Sequence, residues 1–284
     1  MKNTHTQSGS IAVGLTPVAP TLPVAGYLGG KRNLARQIIE RIGQIPHATY
    51  AEPFVGMGGV FLRRPFRAKG EIVNDISADV VTLFRILQRH YQAFMDVLKW
   101  QVASRADFER LMQTAPDTLT DLERAARFLY LQRLAFGGKV QGRNFGMQVR
   151  GHARFDVTRL ASMLEAVHER LCGVVIERMP FDRFISQYDR ADTLFYLDPP
   201  YWGCEGDYGP GVFERADFER LASQLASIKG RFILSLNDTP EVRALFGPFT
   251  IERVEVTYTL NNGAPGRFGE VIISSRQGRR SKGR

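Results

Sequence analysis

The chain has little of several things that would mark simpler proteins. It holds two cysteines in 284 residues, Cys172 and Cys204, with no Cys-x-x-Cys pair. A disulfide framework is thereby excluded; two unpaired thiols, read as buried or incidental, suit a reducing, cytoplasmic setting. Five histidines (His5, His47, His90, His152 and His168) are scattered without ligand spacing, so neither a zinc centre nor a Ser-His-Asp triad is indicated and no metal is expected. No apolar run approaches the ~20 residues of a membrane span, and residues 1–26 lack the basic-then-apolar order of a secretory signal. No membrane partner is expected, and no internal repeat suggests a solenoid.

Acidic residues are the scarcer charge, 29 against 38 lysines and arginines, for a net +9. Most of that excess sits at the ends: Arg276, Arg279, Arg280, Lys282 and Arg284 crowd the last nine positions and Lys2 lies near the start, leaving about +3 between Gly26 and Ser275. The overall charge is therefore weak grounds for a nucleic-acid partner. A 284-residue chain that is 44% hydrophobic can bury one large core and a smaller subdomain, and a monomer is the default expectation.

Residues 1–25, rich in Thr, Pro, Ser and Gly, lack a sustained period and are expected to be a floppy lead-in. From Gly26 a helical stretch (33–42), a strand (48–55), a Gly-rich turn with a further helix, and a second strand (71–75) make a β-loop-α-β unit. Ser77 can cap the next helix, whose Val80, Leu83, Phe84 and Leu87 recur at helical spacing up to about His90. Residues 91–170 are mostly helical with no strand-like run; Thr120 and Glu123 match a capping box there. This is read as a subdomain inserted between the catalytic-domain segments 26–90 and 171–275. Strands return at 174–177, 193–198, 231–237, 251–260 and 270–275, the last two as an antiparallel hairpin, and 276–284 is a basic, disordered tail.

The sharpest chemical signal is the apolar run 194–197 that delivers Asp198, Pro199, Pro200 and Tyr201. Ligands of open α/β sheets bind at the carboxyl ends of strands. The two prolines lock φ and hold the backbone extended, so the Asp198 carboxylate and the Pro199 carbonyl can face one way. Two adjacent acceptors suit an exocyclic amine, which has two N–H bonds to give; accepting both pushes electron density onto nitrogen, and Tyr201 can stack on the base. A rigid turn with a half-buried tyrosine is the plain structural alternative. A second signal runs from Ala51 through Glu52, Pro53, Phe54, Val55, Gly56 and Met57 to Gly58 and Gly59. It lacks the G-x-G-x-x-G spacing, since Phe61 stands where a third glycine belongs, so it is a poor pyrophosphate cradle. Asp75, 19 positions beyond Gly56 at the end of the second strand, is placed to accept ribose hydroxyls. The pair favours a nucleoside cofactor without phosphates.

These residues resemble the D12 class of Dam-type N6-adenine DNA methyltransferases, over roughly 26–275. The elements occur in that family's order: Tyr27-Leu-Gly-Gly-Lys31, Glu52-Pro-Phe-Val-Gly-Met-Gly58, Val73-Asn-Asp75, an insert, and Asp198-Pro-Pro-Tyr201. The resemblance implies a Rossmann-like class I methyltransferase fold, α/β with a mixed, mostly parallel sheet, a C-terminal antiparallel hairpin and an inserted, mainly helical target-recognition subdomain. It implies S-adenosyl-L-methionine as cofactor, held by Tyr27, Lys31, Glu52, Phe54, Gly56, Asp75, Ile76, Phe181 and Asp198, with Lys31 toward the methionyl carboxylate. It implies double-stranded DNA as partner, with Asp198, Pro199 and Tyr201 as the catalytic group. Phe181 departs from the family pattern in following Pro180 rather than an acid; either Asp182 compensates or Phe181 is core packing. From Arg127 to Arg159 seven bases face a single acid, Asp156. On the Gly-rich loop and around it, Arg133, Lys139, Arg143, Asn144 and Arg150 are the DNA-facing candidates, with Asn144 or Gln141 a reader of an adenine edge. N4-cytosine transfer on DNA, adenine transfer on RNA, and a noncatalytic DNA-binding module remain as alternatives.

Overall fold

The apolar runs come together in one seven-stranded sheet. The computed structural model of the protein describes residues 14–27, 29, 31, 34–146, 152–259 and 265–276, with the backbone alone for 255–259 and 265–268. In chain order the elements are β1 (Thr16–Pro17), α1 (Ala35–Gln44), β2 (Thr49–Glu52), β3 (Phe66–Arg67), β4 (Gly70–Asn74), α2 (Ala78–Arg89), α3 (Tyr91–Leu98), α4 (Arg105–Gln113), α5 (Asp121–Leu134) and α6 (Val157–Leu171). Then come β5 (Val175–Glu177), α7 (Phe181–Tyr188), β6 (Thr193–Leu197), α8 (Arg215–Leu225), β7 (Arg231–Asn237), α9 (Pro240–Leu245), β8 (Thr250–Thr259) and β9 (Pro265–Ser274).

The sheet runs β5-β4-β2-β6-β7-β9-β8. The strands from β5 to β7 are parallel, and β9 runs antiparallel to both β7 and β8. Strand order reverses between β2 and β6, where Thr49, Tyr50 and Ala51 pair with Thr193, Leu194 and Phe195. A crevice opens outside the carboxyl ends of strands at such a switch point, and those ends carry Glu52 on one side and Asp198 on the other. β6 is buried throughout and β2 from Tyr50 to Glu52, as strands in the middle of a parallel sheet are. The turn of the hairpin, 260–264, lies outside the described residues.

Two sequence expectations need correction. Residues 14–25 are not a floppy lead-in: Thr16 and Pro17 pair with Arg67 and Phe66, Val18 N and Thr21 N donate to Pro65 O and Leu62 O, and Val24 and Ala25 are buried. Two apolar anchors and a few backbone hydrogen bonds hold this arm, which carries no periodic pattern to signal it. The helix expected after the Gly-rich turn is a single 3₁₀ turn, Phe61–Arg63. Of the two readings left open for the cysteines, buried or incidental, the first does not hold: Cys172 and Cys204 are both exposed and free.

The helices of the expected insert do not form a core of their own. Phe94, Phe108, Phe128, Leu129 and Leu160 belong to the same buried cluster as Val80, Leu83 and Leu87 of α2. Arg170 of α6 also gives two hydrogen bonds, 2.6 and 3.0 Å, to the buried Glu71 carboxylate of β4. Local signals set the helix starts: Ser77 accepts from Val80 N, and Thr120 and Glu123 close a reciprocal capping box.

Candidate active site

Three strand ends and one loop converge above the sheet. Beyond β4, Asp75 accepts Gly56 N at Oδ2 and Ser77 N at Oδ1, both at 2.9 Å. Burial pushes its carboxyl up to about 6, and the two backbone N–H groups offset part of that rise. Gly56 has φ +49°, and a Cβ there would lie 3.1 Å from the Tyr27 ring. A side chain is thus barred by backbone conformation and by space together. At the end of β2, the buried Glu52 takes the Tyr50 hydroxyl at 2.7 Å, and burial lifts its carboxyl to about 8.

Asp198, the residue after β6, binds two donors on one oxygen. Lys31 Nζ lies 2.7 Å and Ser235 Oγ 3.0 Å from its Oδ1. Burial raises the Asp198 carboxyl, against the pull of Lys31 and Ser235. Lys31 is itself buried, 4.2 Å above the Tyr201 ring centroid. The Tyr201 hydroxyl donates to Glu270 Oε2 of β9 at 2.5 Å. Asn237, the last residue of β7, exchanges two 2.9 Å hydrogen bonds with the Trp202 backbone, so the turn after Asp198 is stapled to the neighbouring strand.

A cavity of about 870 Å³ opens beside these groups, within the range of small-molecule sites. Asp198, Asp75 and Gly56 all line it, and so do Tyr27, Lys31, Glu52, Phe54, Ile76, Pro199 and Tyr201. Phe181 does not; it packs against Phe54 and Phe213 in the second buried cluster, which is the core role left open from the sequence. Lys31, expected toward a cofactor carboxylate, is paired here with Asp198. Leu22, Pro23 and Ala25 of the N-terminal arm also form part of the wall.

The DNA-facing candidates divide. Lys139 and Asn144 are exposed on a loop closed by an Ala135–Phe145 bridge. Arg133 turns inward and gives its guanidinium to Arg154 O and Val24 O at 2.6 to 3.0 Å, which ties down the N-terminal arm. Arg143 is half-buried against Gln132 Oε1 at 3.1 Å and the Phe128 ring. Arg150 and most of the basic tail lie outside the described residues. Gln132, which sequence reading did not single out, bridges Gly26 O and Gly138 O at 2.8 and 2.7 Å. Ser235 and Glu270 were also missed. A polar residue inside an otherwise apolar strand was the one available sign. Among the described residues no group of three or more His, Cys, Asp or Glu side chains is placed to hold a metal ion, and no helix is long and apolar enough to cross a membrane.

A sheet whose seven strands, counted in chain order, run 3-2-1-4-5-7-6 with only the last reversed, and whose carboxylates flank one cavity at the switch point, defines a Rossmann-like class I methyltransferase domain. The model of the D12 class N6 adenine-specific DNA methyltransferases matches residues 27–260, and the chain belongs to that family. It is 24% identical to the type II methyltransferase M.CviBI of Paramecium bursaria Chlorella virus NC1A, over 88% of this chain and 95% of that one. It is 26% identical to the type II methyltransferase M1.LlaDCHI of Lactococcus lactis subsp. cremoris (89% and 95%), and 25% identical to a DNA adenine methylase of Haemophilus influenzae (87% and 90%). The chain is thus a DNA adenine N6-methyltransferase, and the N4-cytosine and RNA alternatives are set aside.

Proposed function

We propose that this cavity binds S-adenosylmethionine beside an adenine rotated out of duplex DNA, and that Asp198, Pro199 and Tyr201 hold the adenine for transfer. The observation that carries this reading is the single cavity joining Asp198 to Asp75 and Gly56. The donor set fits the cofactor: a carboxylate at Asp75 for ribose hydroxyls, apolar Ile76 and Phe54 beside it for a purine, and no phosphate cradle. When bound, S-adenosylmethionine supplies an electrophilic methyl group on a positively charged sulfur.

The protein's own part is positioning and charge placement. Both contacts to Asp198 fall on Oδ1, so Oδ2 is kept for an N–H of the target amine, and the Pro199 carbonyl is the second acceptor. Tyr201, braced by Glu270, presents its ring to the base. Preorganised acceptors act on the nitrogen as it attacks, with no covalent enzyme intermediate. Extruding the base costs a few kcal/mol, about what local unstacking requires. The exposed Lys139 and Asn144 serve DNA contact from the loop after α5. A DNA substrate and two free thiols accord with a cytoplasmic protein.

The test is incubation of the protein with unmethylated duplex DNA and S-adenosylmethionine, digestion to nucleosides, and mass spectrometry for N6-methyladenine. Asp198→Ala should keep DNA binding and lose more than about 99% of the rate, ~3 kcal/mol or more of transition-state stabilisation. A variant retaining more than about a hundredth of the activity contradicts the role given to Asp198.

A further inference from the structure

Ser235 is 0% exposed in β7, between Leu234 and Leu236 and flanked by β6 and β9. A hydroxyl in that setting must be satisfied by protein groups. Its Oγ lies 3.0 Å from Asp198 Oδ1, 3.0 Å from the hydroxyl of Tyr196 and 3.5 Å from Leu197 O. One hydroxyl has one proton, so these contacts cannot all be donations. The Lys31 ammonium at 2.7 Å favours the ionised Asp198 carboxylate, which only accepts. Ser235 therefore donates to Asp198, and the phenol of Tyr196, 1% exposed, donates to Ser235. The order of donation is Tyr196 to Ser235 to Asp198.

We propose that Ser235 is a positioning residue for methyl transfer: relaying the Tyr196 hydrogen bond to Asp198 Oδ1, it fixes which carboxylate oxygen meets the target amine. The proposal rests on Asp198 being the amine's acceptor. With Lys31 alone on Oδ1, the carboxylate is free to turn about its Cβ–Cγ bond toward the ammonium. A second donor, fixed in the middle of the sheet, removes that freedom. The effect belongs to the chemical step, because Ser235 does not line the cavity, whereas Tyr196 and Asp198 do.

The experiment compares Ser235→Ala, Ser235→Thr and Tyr196→Phe with the unaltered protein. Single-turnover rates are normalised to sites that bind radiolabelled S-adenosylmethionine, and kcat is followed against pH. Ser235→Ala should lower the single-turnover rate about tenfold or more, with the dissociation constants for S-adenosylmethionine and DNA within about twofold. Removing a donor to the charged form raises the Asp198 carboxyl further, so the acid limb of the kcat profile should move to higher pH. The charged and titratable groups around Asp198 are Lys31 before α1, Glu270 on β9, Glu52 on β2, Tyr196 on β6 and Tyr208 beyond it. All except Tyr196 are unchanged in every variant. Ser235→Thr should restore most of the rate, and Tyr196→Phe should give a smaller loss than Ser235→Ala. If the extra methyl of Thr prevents folding, the Tyr196→Phe rate and acid limb decide alone. A normalised Ser235→Ala rate within twofold of the unaltered protein, or a loss with an unmoved acid limb, overturns the proposal. If Asp198→Ala is inactive while Ser235→Ala is normal, only the relay fails. If Asp198→Ala is active, the acceptor reading fails first.

Discussion

The carboxyl of Asp75, held up at about 6 by burial, should make binding of the proposed cofactor and protein stability respond to acid in opposite directions. Lifting a carboxyl from 3.8 to about 6 means the fold disfavours its ionised form by on the order of 3 kcal/mol near neutrality. Because the folded value is the raised one, the folded state takes up the proton first, and this residue's contribution to stability grows as pH falls from above 6 toward 4. Accepting ribose hydroxyls calls for the ionised form, whose two oxygens already take Gly56 N and Ser77 N. At pH 5 about a tenth of the unliganded protein has Asp75 ionised, so the S-adenosylmethionine dissociation constant should rise about tenfold from its value at pH 7. Asp75→Asn removes the titration. Its amide nitrogen must face one of the two backbone donors, which lowers stability, and a ribose hydroxyl meets a neutral acceptor in place of a carboxylate, so binding at pH 7 should weaken by ~1.5–3 kcal/mol, one charge-assisted hydrogen bond. Isothermal titration calorimetry across pH 5 to 8, alongside urea unfolding of the unliganded protein, reads both effects. A dissociation constant that falls between pH 7 and pH 5, or an Asp75→Asn variant with the same pH dependence as the unaltered protein, refutes the reasoning.

Three further outcomes are expected. Lys139→Ala should weaken DNA binding about equally for all sequences and flatten its salt dependence by about one ion, whereas Arg133→Ala should lower the urea midpoint because the Val24 and Arg154 carbonyls lose their donor; the opposite pattern by fluorescence anisotropy and denaturation would exchange the two roles. Thr120→Ala opens the capping box of α5 and should cost ~1 kcal/mol of unfolding free energy without changing the methylation rate per folded molecule.

Most of the site that lies along single strands was readable in the sequence. Asp198, Pro199 and Tyr201 announce themselves because one strand and two prolines fix their arrangement locally, and Asp75 and Gly56 meet because they follow β4 and β2, which are parallel neighbours even though a 3₁₀ turn stands where a helix was expected. What was hidden depends on contacts distant in the chain. Ser235 reaches Asp198 only because β7 lies beside β6, and Glu270 reaches Tyr201 only because β9 folds back antiparallel on β7. Basic residues misled in the other direction: composition cannot distinguish a cation facing solvent, as the Lys139 ammonium does, from one turned inward onto backbone carbonyls, as the Arg133 guanidinium is. The ordered arm at 14–25 escaped notice for a related reason, since Val24 and Ala25 are anchored by partners far along the chain.

The segment that carries the exposed loop after α5 shares its hydrophobic interior with α2, and Arg170 fastens it to β4. Transplanting 91–170 from a relative would therefore leave the host with a mismatched interface of some of its largest side chains, and cavities of that kind cost several kcal/mol. Altered target preference is better sought by exchanging the exposed positions between Phe136 and Asn144, which evolution or an engineer can vary while the helices beneath stay as they are.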